Sequence, residues 1–329
     1  MKRTFIMSDQ SKNGLDQKEP MSLDDMTYEP LTRRSFLKVG IAATALSAGG
    51  AISLSPLREL DQPLSISEFL QQHYEELTPP KMEKVLARIK REIKREYKIE
   101  ADVKDTKPMP GVEFAYALNI GRCIGCRRCV YACMEENNLS RDPEIQYIRV
   151  LEMDKGSMDL ETSNHYYDPE TVPQKNKFYV PVQCHQCKNA PCTKACPIKA
   201  TWQEPDGIVV VDYNWCIGCR YCLAACPYWA RRFNFAKPKI PREDINSKMD
   251  YLSNRIRPRG VAEKCTFCLH RTRQGMLPAC AEVCPTGSRI FGNILEPDNP
   301  ISYILKNKRV YVLKEELRTF PRFYYFFEK

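Results

Sequence analysis

The sequence is poor in histidine and lacks the short motifs that bind several common cofactors. Among 329 residues there are four histidines, His73, His165, His185 and His270, and no Cys-x-x-Cys is followed by His, so no covalent haem site is indicated. Gly-x-Gly-x-x-Gly, the signature of a nucleotide or flavin site, is absent. Nothing groups two carboxylates for acid–base catalysis. These absences indicate a chain that does not transform a substrate itself.

Cysteine, by contrast, is abundant and regularly spaced. The 16 cysteines form four quartets with none left over. In chain order the quartets are Cys123, Cys126, Cys129 and Cys133; Cys184, Cys187, Cys192 and Cys196; Cys216, Cys219, Cys222 and Cys226; and Cys265, Cys268, Cys280 and Cys284. The third quartet lies in the run CIGCRYCLAACP, which ends at Pro227. This is the bacterial ferredoxin pattern, in which the fourth Cys ligates the other cluster of a pair.

The spacing between quartets predicts how they pair. Quartet two is followed by Pro197, a turn at residues 205–207 and a strand at residues 208–212, and quartet three begins at once. Quartets two and three therefore resemble one two-cluster ferredoxin unit, which leaves quartets one and four to pair with each other. Quartet four has a wide gap between Cys268 and Cys280, and quartet one lacks the terminal proline. The predicted fold is α+β, with two interleaved ferredoxin-like units, loop-rich inserts and an N-terminal helical extension.

The crossover rule then assigns ligands to four [4Fe-4S] clusters. Site 1 is Cys123, Cys126, Cys129 and Cys284; site 2 is Cys184, Cys187, Cys192 and Cys226; site 3 is Cys216, Cys219, Cys222 and Cys196; site 4 is Cys265, Cys268, Cys280 and Cys133. Structural zinc sites also use Cys-x-x-Cys pairs. They do not require the longer run Cys-x-x-Cys-x-x-Cys-x-x-x-Cys, which occurs here in quartets one and three. His185, between Cys184 and Cys187, is expected to tune its cluster without ligating it.

Net charge gives a weaker indication. The formal charge of +9 suggests a basic surface for nucleic acid or anionic lipid. However, an oxidised four-iron cluster with four thiolates carries about −2, so four clusters would offset about eight of those charges. We interpret the basic excess as compensation for the clusters, and we expect no nucleic-acid partner.

The N-terminal region, residues 1–57, is predicted to be a disordered segment followed by an export signal. Arg33 and Arg34 precede nineteen uncharged residues, 39–57, that are rich in Ala, Gly and Ser. This is typical of a twin-arginine signal, whose translocase exports folded proteins. A transmembrane anchor is the alternative, but three Gly, three Ser and a Pro make a poor one. Export of a folded chain would let the clusters be inserted before the thiols meet an oxidising compartment. We expect the outer face of the cytoplasmic membrane, with the signal retained or cleaved.

Residues 58–111 are predicted to be a helical extension and linker. A capping box at Ser65–Glu68 predicts a short helix through Leu77, and Pro79 starts a second helix with one apolar face. The opposite face of the second helix, residues 81–98, is basic and could bind a membrane or partner, although packing of the apolar stripe on the main domain is favoured. Residues 101–111 are predicted to be a linker.

The remaining segments are an insert and the C-terminal region. A strand is predicted at residues 146–151, while the polar stretch that follows, within the insert 152–182, either contacts a partner or covers neighbouring clusters. The cluster domain spans residues 112–295. In residues 296–329, a strand is predicted at 308–313, and the aromatic segment 320–327 either docks on a membrane partner or packs on its own domain.

Together the four quartets, the export signal and two phrases resemble a known family. The phrases are CRYCLAACPY, from Cys219, and EKCTFC, from Glu263. They are similar to the four-cluster iron–sulfur subunits of dimethyl sulfoxide, polysulfide and tetrathionate reductases, and more so to exported subunits associated with nitrite reduction and dissimilatory sulfite reduction. The resemblance covers about residues 114–295.

The resemblance implies a non-catalytic electron-transfer subunit outside the cytoplasmic membrane. It implies two partners: a multi-span, quinone-reactive membrane subunit, and either a catalytic molybdenum subunit or a multihaem cytochrome. It also implies the same quartet pairing that the spacing predicts. A free periplasmic polyferredoxin and a zinc-bound structural protein are the alternatives. Neither the direction of electron flow nor the terminal substrate is encoded in the spacing.

Overall fold

The structure is a computed structural model that describes residues 5–7 and 74–328. Of the N-terminal segment predicted to be disordered, only residues 5–7 are described, and they form a strand. The Arg33–Arg34 signal and the capping box at Ser65–Glu68 lie outside the described residues. Those from Tyr74 onward belong to one compact unit of short helices and strands, as expected for an α+β protein.

Its regular elements are mostly short. The described α-helices are α1 (Pro79–Tyr97), α2 (Arg128–Glu136), α3 (Pro191–Lys194), α4 (Tyr221–Ala224), α5 (Leu269–Thr272), α6 (Ala279–Glu282) and α7 (Pro300–Asn307). The described strands are β1 (Phe5–Met7), β2 (Tyr74–Glu76), β3 (Asp102–Lys104), β4 (Phe114–Asn119), β5 (Arg149–Asp154), β6 (Lys177–Val182), β7 (Thr201–Gln203), β8 (Val209–Val211), β9 (Arg231–Phe233), β10 (Lys248–Asp250), β11 (Ala262–Lys264), β12 (Arg289–Asn293) and β13 (Phe323–Phe326). Short 3-10 helices occupy Ile120–Arg122, Arg242–Asp244 and Glu315–Leu317.

Helix α1 forms where the sequence predicts it. Prolines at its first positions suit a helix start, because their missing N–H groups would have no intrahelical partner there. Val85, Ile89 and Ile93 are buried in the main core, which confirms that the apolar face packs on the domain. The basic face is largely exposed. The preceding helix was predicted to reach Leu77, which is wrong because Tyr74–Glu76 forms strand β2.

The segment predicted as a linker is part of the fold. Strand β3 pairs in parallel with β10, and Val103 between them is 2% exposed. A three-residue strand carries little sequence signal, since its partner lies nearly 150 residues further along the chain. Residues 105–111 that follow contain no regular element.

A three-stranded sheet in the order β12–β4–β13 lies at the centre of the core. Strand β12 is antiparallel to β4, while β13 near the C-terminus is parallel to it. The rings of Tyr116 on β4 and Phe323 on β13 stack with centroids 5.0 Å apart. The aromatic segment thus packs on its own domain. The strand predicted at 308–313 is wrong, because only Tyr311 there forms a β-bridge, with Tyr325.

Three antiparallel pairs connect the rest of the cluster region. Strands β7 and β8 form a hairpin around the predicted turn, where Gly207 has φ +82°. The strand predicted at 208–212 is observed as β8, Val209–Val211. Strand β9 pairs with β11, and β5 pairs with β6. The strand predicted at 146–151 is displaced to Arg149–Asp154. None of the helices within the described part of the chain is sufficiently long and apolar to span a bilayer.

Candidate iron–sulfur cluster sites

The first cysteines of quartets one and three lie in matching loops. Both loops read Cys-Ile-Gly-Cys, and Gly125 and Gly218 have φ values of +77° and +75°. This conformation is costly for residues with a Cβ atom. A Cβ at Gly125 would lie 2.4 Å from the Tyr179 ring, and one at Gly218 would lie 2.3 Å from the Gly260 carbonyl oxygen. The loops therefore need glycine both for their turn and for their close packing.

The four cysteines of site 1 line one cavity. This cavity has about 340 Å³ of empty space, partly open to solvent, and its wall includes Cys123, Cys126, Cys129 and Cys284. Three of these come from quartet one and the fourth from quartet four, over 150 residues away. The packing of α2 against α6 brings the two quartets together.

Site 3 has the same form in the other half of the domain. A second cavity of about 350 Å³, also partly open, is lined by Cys196, Cys216, Cys219 and Cys222. Cys196 belongs to quartet two and the others to quartet three. Here helix α3 packs against α4. Both cavities thus bring a fourth cysteine from the partner quartet to three cysteines of the first.

Sites 2 and 4 are recognisable from the neighbours of individual thiols. Burial raises the pKa of Cys187 to about 12, and the thiols of Cys184, Cys192 and Cys226 add to this effect. In site 4, the Asn137 side-chain amide lies 3.6 Å from Cys133 Sγ and 3.7 Å from Cys268 Sγ. The pKa of Cys133 is raised well above its usual value by burial and then by the thiols of Cys265, Cys268 and Cys280. The last cysteine of quartet one therefore lies among those of quartet four.

Thiols also interact between sites, which orders the sites in space. Cys192 of site 2 raises the pKa of Cys222 of site 3, after the larger effect of burial. Cys184 of site 2 acts in the same way on Cys265 of site 4. Between sites 4 and 1 the corresponding neighbours are Cys280 and Cys129. In each of these pairs a thiol of one site lies near a thiol of the next site, and the pairs connect the sites in the order 3–2–4–1.

The thiol chemistry suits metal ligation. All 16 cysteines are free of disulfide bonds. Burial raises the pKa of Cys123 and Cys268 to about 12, so these groups become thiolates only with compensation such as bound iron. Burial would also raise the pKa of Cys284, but hydrogen bonds from Thr286 and the backbone N–H of Ser288 give a net lowering. Within the described residues, no three His, Cys, Asp or Glu side chains form a group that could hold a single metal ion directly, as distinct from a cluster of several irons.

His185 lies where the sequence predicts it, beside the cysteines of site 2. It is fully buried, and burial lowers its pKa to about 3, so the ring is neutral. It stacks on Tyr228 and Phe323, at centroid distances of 4.0 and 5.3 Å. Its Nδ1 atom is buried without a hydrogen-bond partner in the described part of the chain. Its predicted role in tuning a cluster stays a prediction.

Several polar groups at the sites were missed by sequence reasoning. The Tyr116 hydroxyl lies 3.3 Å from Cys280 Sγ, and Arg231 Nη2 lies 3.1 Å from Cys192 Sγ. Arg289 Nη1 is 3.7 Å from Cys280 Sγ. The signal available was positional, since each arginine stands five residues after the last Cys of its quartet.

The residues present fit iron–sulfur clusters. Arg231 Nε and Nη1 and Arg289 Nη2 are buried without hydrogen-bond partners among the residues described. Both arginines line the cysteine cavities. Buried N–H donors are normally satisfied, and the sulfurs of a cluster are suitable acceptors. Grouped thiols, with buried arginine donors beside Cys192 and Cys280, match the ligands and surroundings of [4Fe-4S] clusters.

Part of the long insert covers site 1. The hydroxyl of buried Tyr167 donates a hydrogen bond to the Gly125 carbonyl at 2.6 Å, and the Tyr179 ring lies against the same glycine. Neighbouring Tyr166 is 81% exposed. These contacts favour the covering role for this part of the insert.

Comparison with known proteins identifies a domain of the expected type. The family described as the 4Fe-4S dicluster domain matches residues 175–247 and 241–294. These ranges contain quartets two, three and four.

Curated relatives extend the similarity over nearly the whole chain. A subunit of the selenate reductase of Mesobacillus selenatarsenatis is 34% identical over 89% of this chain and 96% of its own length. The putative dimethyl sulfoxide reductase iron–sulfur subunit of Halobacterium salinarum is 42% identical over 62% of this chain and 75% of its own. The menaquinone reductase iron–sulfur cluster-binding subunit of Nitratidesulfovibrio vulgaris is 33% identical, with coverages of 65% and 88%. The first of these reaches beyond the predicted range 114–295.

Proposed function

Because this chain belongs to the family of iron–sulfur electron-transfer subunits of reductase complexes, we propose that it carries four [4Fe-4S] clusters in the linear order 3–2–4–1. It is the electron-transfer part of such a complex and not the catalytic subunit. When bound, each cluster accepts and releases one electron. The chain's own residues hold the clusters in place, exclude water and set the local charge.

The distribution of the cysteines supports this arrangement. All four cysteines of site 4 are buried, as are three of the four at site 2. At site 1 all four are half-buried, and at site 3 three of four are. A linear relay needs insulated inner clusters and accessible outer ones. The observation that carries the proposal is therefore the burial of the two inner sites between two more accessible ends.

Both outer sites of the proposed relay, sites 3 and 1, have exposed apolar side chains nearby that are suited to contact with a partner. Next to site 3, Ile217 and Tyr221 are each 63% exposed and Phe235 is 60% exposed. Next to site 1, Tyr131 is 43% and Val283 is 37% exposed. Apolar surface of this kind is typical of interfaces, and contact there would bring a donor or acceptor close to an outer cluster.

We assign one partner as a quinone-reactive membrane subunit and the other as a catalytic molybdenum subunit or a multihaem cytochrome. The relative from N. vulgaris is named for menaquinone, while the other two are named for selenate and dimethyl sulfoxide. Since these names differ in substrate, we infer that the substrate belongs to the catalytic partner and that the relay is the shared part.

The proposed location is the outer face of the cytoplasmic membrane, reached through the twin-arginine translocase. This rests on Arg33 and Arg34 before the uncharged segment 39–57. Changing both arginines to lysine should leave the protein in the cytoplasm, as measured by fractionation. Normal export of that variant would refute the proposal.

Anaerobic purification with iron analysis tests the cofactor content. Four clusters predict about 16 iron atoms per chain and a brown sample with EPR signals on reduction. A colourless protein containing zinc would refute the proposal.

The free polyferredoxin is tested separately, by mild-detergent purification from membranes through a tag. Recovery with a multi-span membrane protein supports the complex, whereas a lone soluble chain would favour the polyferredoxin.

A further inference from the structure

We propose that Arg231 and Arg289 are equivalent buried cations, each lying between the two cluster sites of one ferredoxin-like unit, and that each raises the reduction potential of both flanking clusters. The inference rests on the proposed cluster content, but it concerns the side chains that surround the thiolates. The spacing among the cysteines themselves does not predict it.

The two arginines occupy matching positions. Each follows the last Cys of its quartet by five residues, in the runs Cys226–Arg231 and Cys284–Arg289. Each is also the first residue of a strand, β9 or β12. The position is thus repeated in the two halves of the domain. Five residues after the last Cys, quartets one and two have Asn138 and Thr201. Each unit therefore has an arginine at this position in only one of its two quartets.

Arg231 lies between sites 2 and 3. Its Nη2 atom donates to Cys192 Sγ of site 2 at 3.1 Å and to the Thr201 hydroxyl at 2.8 Å. The same side chain lines the cavity formed by the four cysteines of site 3. Burial lowers the pKa of its guanidinium, but the thiols of Cys192 and Cys222 outweigh this and raise it. The guanidinium therefore interacts with ligands of both sites.

Arg289 has the corresponding place between sites 1 and 4. Its Nη1 atom lies 3.7 Å from Cys280 Sγ of site 4 and 2.8 Å from Gln183 Oε1. The side chain also lines the cavity of site 1. Burial lowers its pKa, while Cys129 of site 1, Tyr116 and Cys280 together raise it well above its usual value.

The partners of these cations distinguish them from other buried arginines. Arg257 pairs with Glu263 at 3.0 Å and Arg273 pairs with Asp206 at 2.7 Å. Among the residues that the structure describes, no carboxylate forms an ion pair with Arg231 or Arg289. A buried charge without a counter-ion is costly, and burial of two would not be sustained unless negative charge lay nearby. Cluster thiolates and sulfides supply that charge.

The sign of the effect follows from the electron that each cluster gains. Reduction makes a cluster more negative by one charge, so a nearby cation stabilises the reduced form more than the oxidised form. Local charge and hydrogen bonds to sulfur are among the factors that set cluster potentials. Removing either guanidinium should therefore lower the potential of its two flanking clusters.

The test is an EPR-monitored redox titration of the purified full chain under anaerobic conditions. Arg231→Gln should shift the reduction equilibrium of clusters 2 and 3 about tenfold toward the oxidised form, or about 59 mV for one electron. Clusters 1 and 4 should change much less. Arg289→Gln should give the opposite pattern, so each variant is the matched control for the other. Equal shifts at all four clusters, or none, would overturn the proposal.

Further variants separate charge from packing. Arg231→Lys and Arg289→Lys keep the charge and should restore most of the wild-type potentials. Shifts as large as those of the glutamine variants would overturn the proposal. If Arg289→Gln loses its clusters, the Arg231 variants decide, because the two positions are proposed to be equivalent. Unchanged potentials of clusters 2 and 3 in Arg231→Gln would then overturn the proposal. Wild-type protein without clusters would refute the proposed function itself, whereas intact clusters with unchanged potentials would refute only this inference.

Discussion

The two proposed ferredoxin-like units differ in how the chain builds them. In the contiguous unit, quartets two and three follow each other directly and are joined by the β7–β8 hairpin. In the split unit, quartets one and four lie at the two ends of the cluster region and are joined by helices α2 and α6 and by the sheet β12–β4–β13. The contiguous unit can close through local contacts. The split unit depends on contacts that are distant in sequence.

The inner site of the split unit is slightly more buried than that of the contiguous unit, because all four cysteines of site 4 are buried and three of the four at site 2 are. Site 4 lies among aromatic side chains from the central sheet and from the loop that contains Phe267. Site 2, the inner site of the contiguous unit, includes half-buried Cys184 and adjoins the stacked rings of His185 and Tyr228. The outer sites show the reverse order, since all four cysteines of site 1 are half-buried whereas Cys222 of site 3 is buried.

Among the variants that compare the two units, serine replacement of a single ligand should have the largest effect on cluster content. Cys219→Ser should abolish or convert one cluster and lower the iron content by about a quarter, since four clusters share the iron. Cys126→Ser should do the same to one cluster of the split unit. Unchanged iron content in either variant would contradict the ligand assignment.

The interleaving itself can be tested with the fourth ligands. Cys226→Ser should remove the same EPR signal as Cys187→Ser, and not the signal removed by Cys219→Ser. Likewise Cys284→Ser should match Cys126→Ser. If Cys226→Ser matched Cys219→Ser instead, each quartet would hold its own cluster and the two units would not be interleaved.

Removal of a core aromatic group from strand β13 should destabilise the protein through the split unit's sheet. Phe323 is fully buried and stacks on Tyr116. Phe323→Ala should lower the free energy of unfolding by about 3–5 kcal/mol, as for other buried aromatic truncations. Denaturant unfolding of the anaerobic protein measures this. Phe320→Ala, at a residue 60% exposed, is the control and should change stability by less than about 1 kcal/mol.

These elements also show what could be predicted from the sequence. The quartets, the hairpin turn at Gly207 and the apolar face of α1 depend on local spacing, and each was predicted. Strand β13 was missed because its place in the sheet is set by β4, some 200 residues earlier. The cations Arg231 and Arg289 were also missed, since an isolated arginine has no significance until its neighbours are known.

Glycine replacement in the matching loops should compare the two units directly. Gly125→Ala would force a Cβ into the Tyr179 ring, and Gly218→Ala would force one against the Gly260 carbonyl. Both also place alanine at a positive φ, which costs about 1–2 kcal/mol before any clash. We expect lower occupancy of cluster 1 in the first variant and of cluster 3 in the second, measured by EPR spin quantification. Gly111→Ala is the control, because its φ is +72° but no atom lies within 4 Å of the added Cβ.

The smallest expected effect concerns one hydroxyl beside site 4. Burial raises the pKa of Tyr116 well above its usual value, so the phenol stays protonated. Its oxygen lies 3.3 Å from Cys280 Sγ, to which it would donate when that sulfur ligates a cluster. Tyr116→Phe removes that donor and keeps the ring. The loss should lower the potential of cluster 4 by an amount equivalent to about 0.5–1.5 kcal/mol, a typical net value for one hydrogen bond.

A matched control makes the Tyr116→Phe shift interpretable. The Tyr325 hydroxyl donates to the Pro181 carbonyl at 3.0 Å and lies 3.4 Å from His185 Nε2. Tyr325→Phe therefore also removes a buried hydroxyl, but one whose partners are not cysteines. Cluster 4 should keep its potential in that variant. Equal shifts in the two variants would mean that potential responds to general loosening of the split unit's core. A shift confined to Tyr116→Phe would instead show that this unit tunes its buried cluster through individual donors, as Arg289 is proposed to do with greater effect.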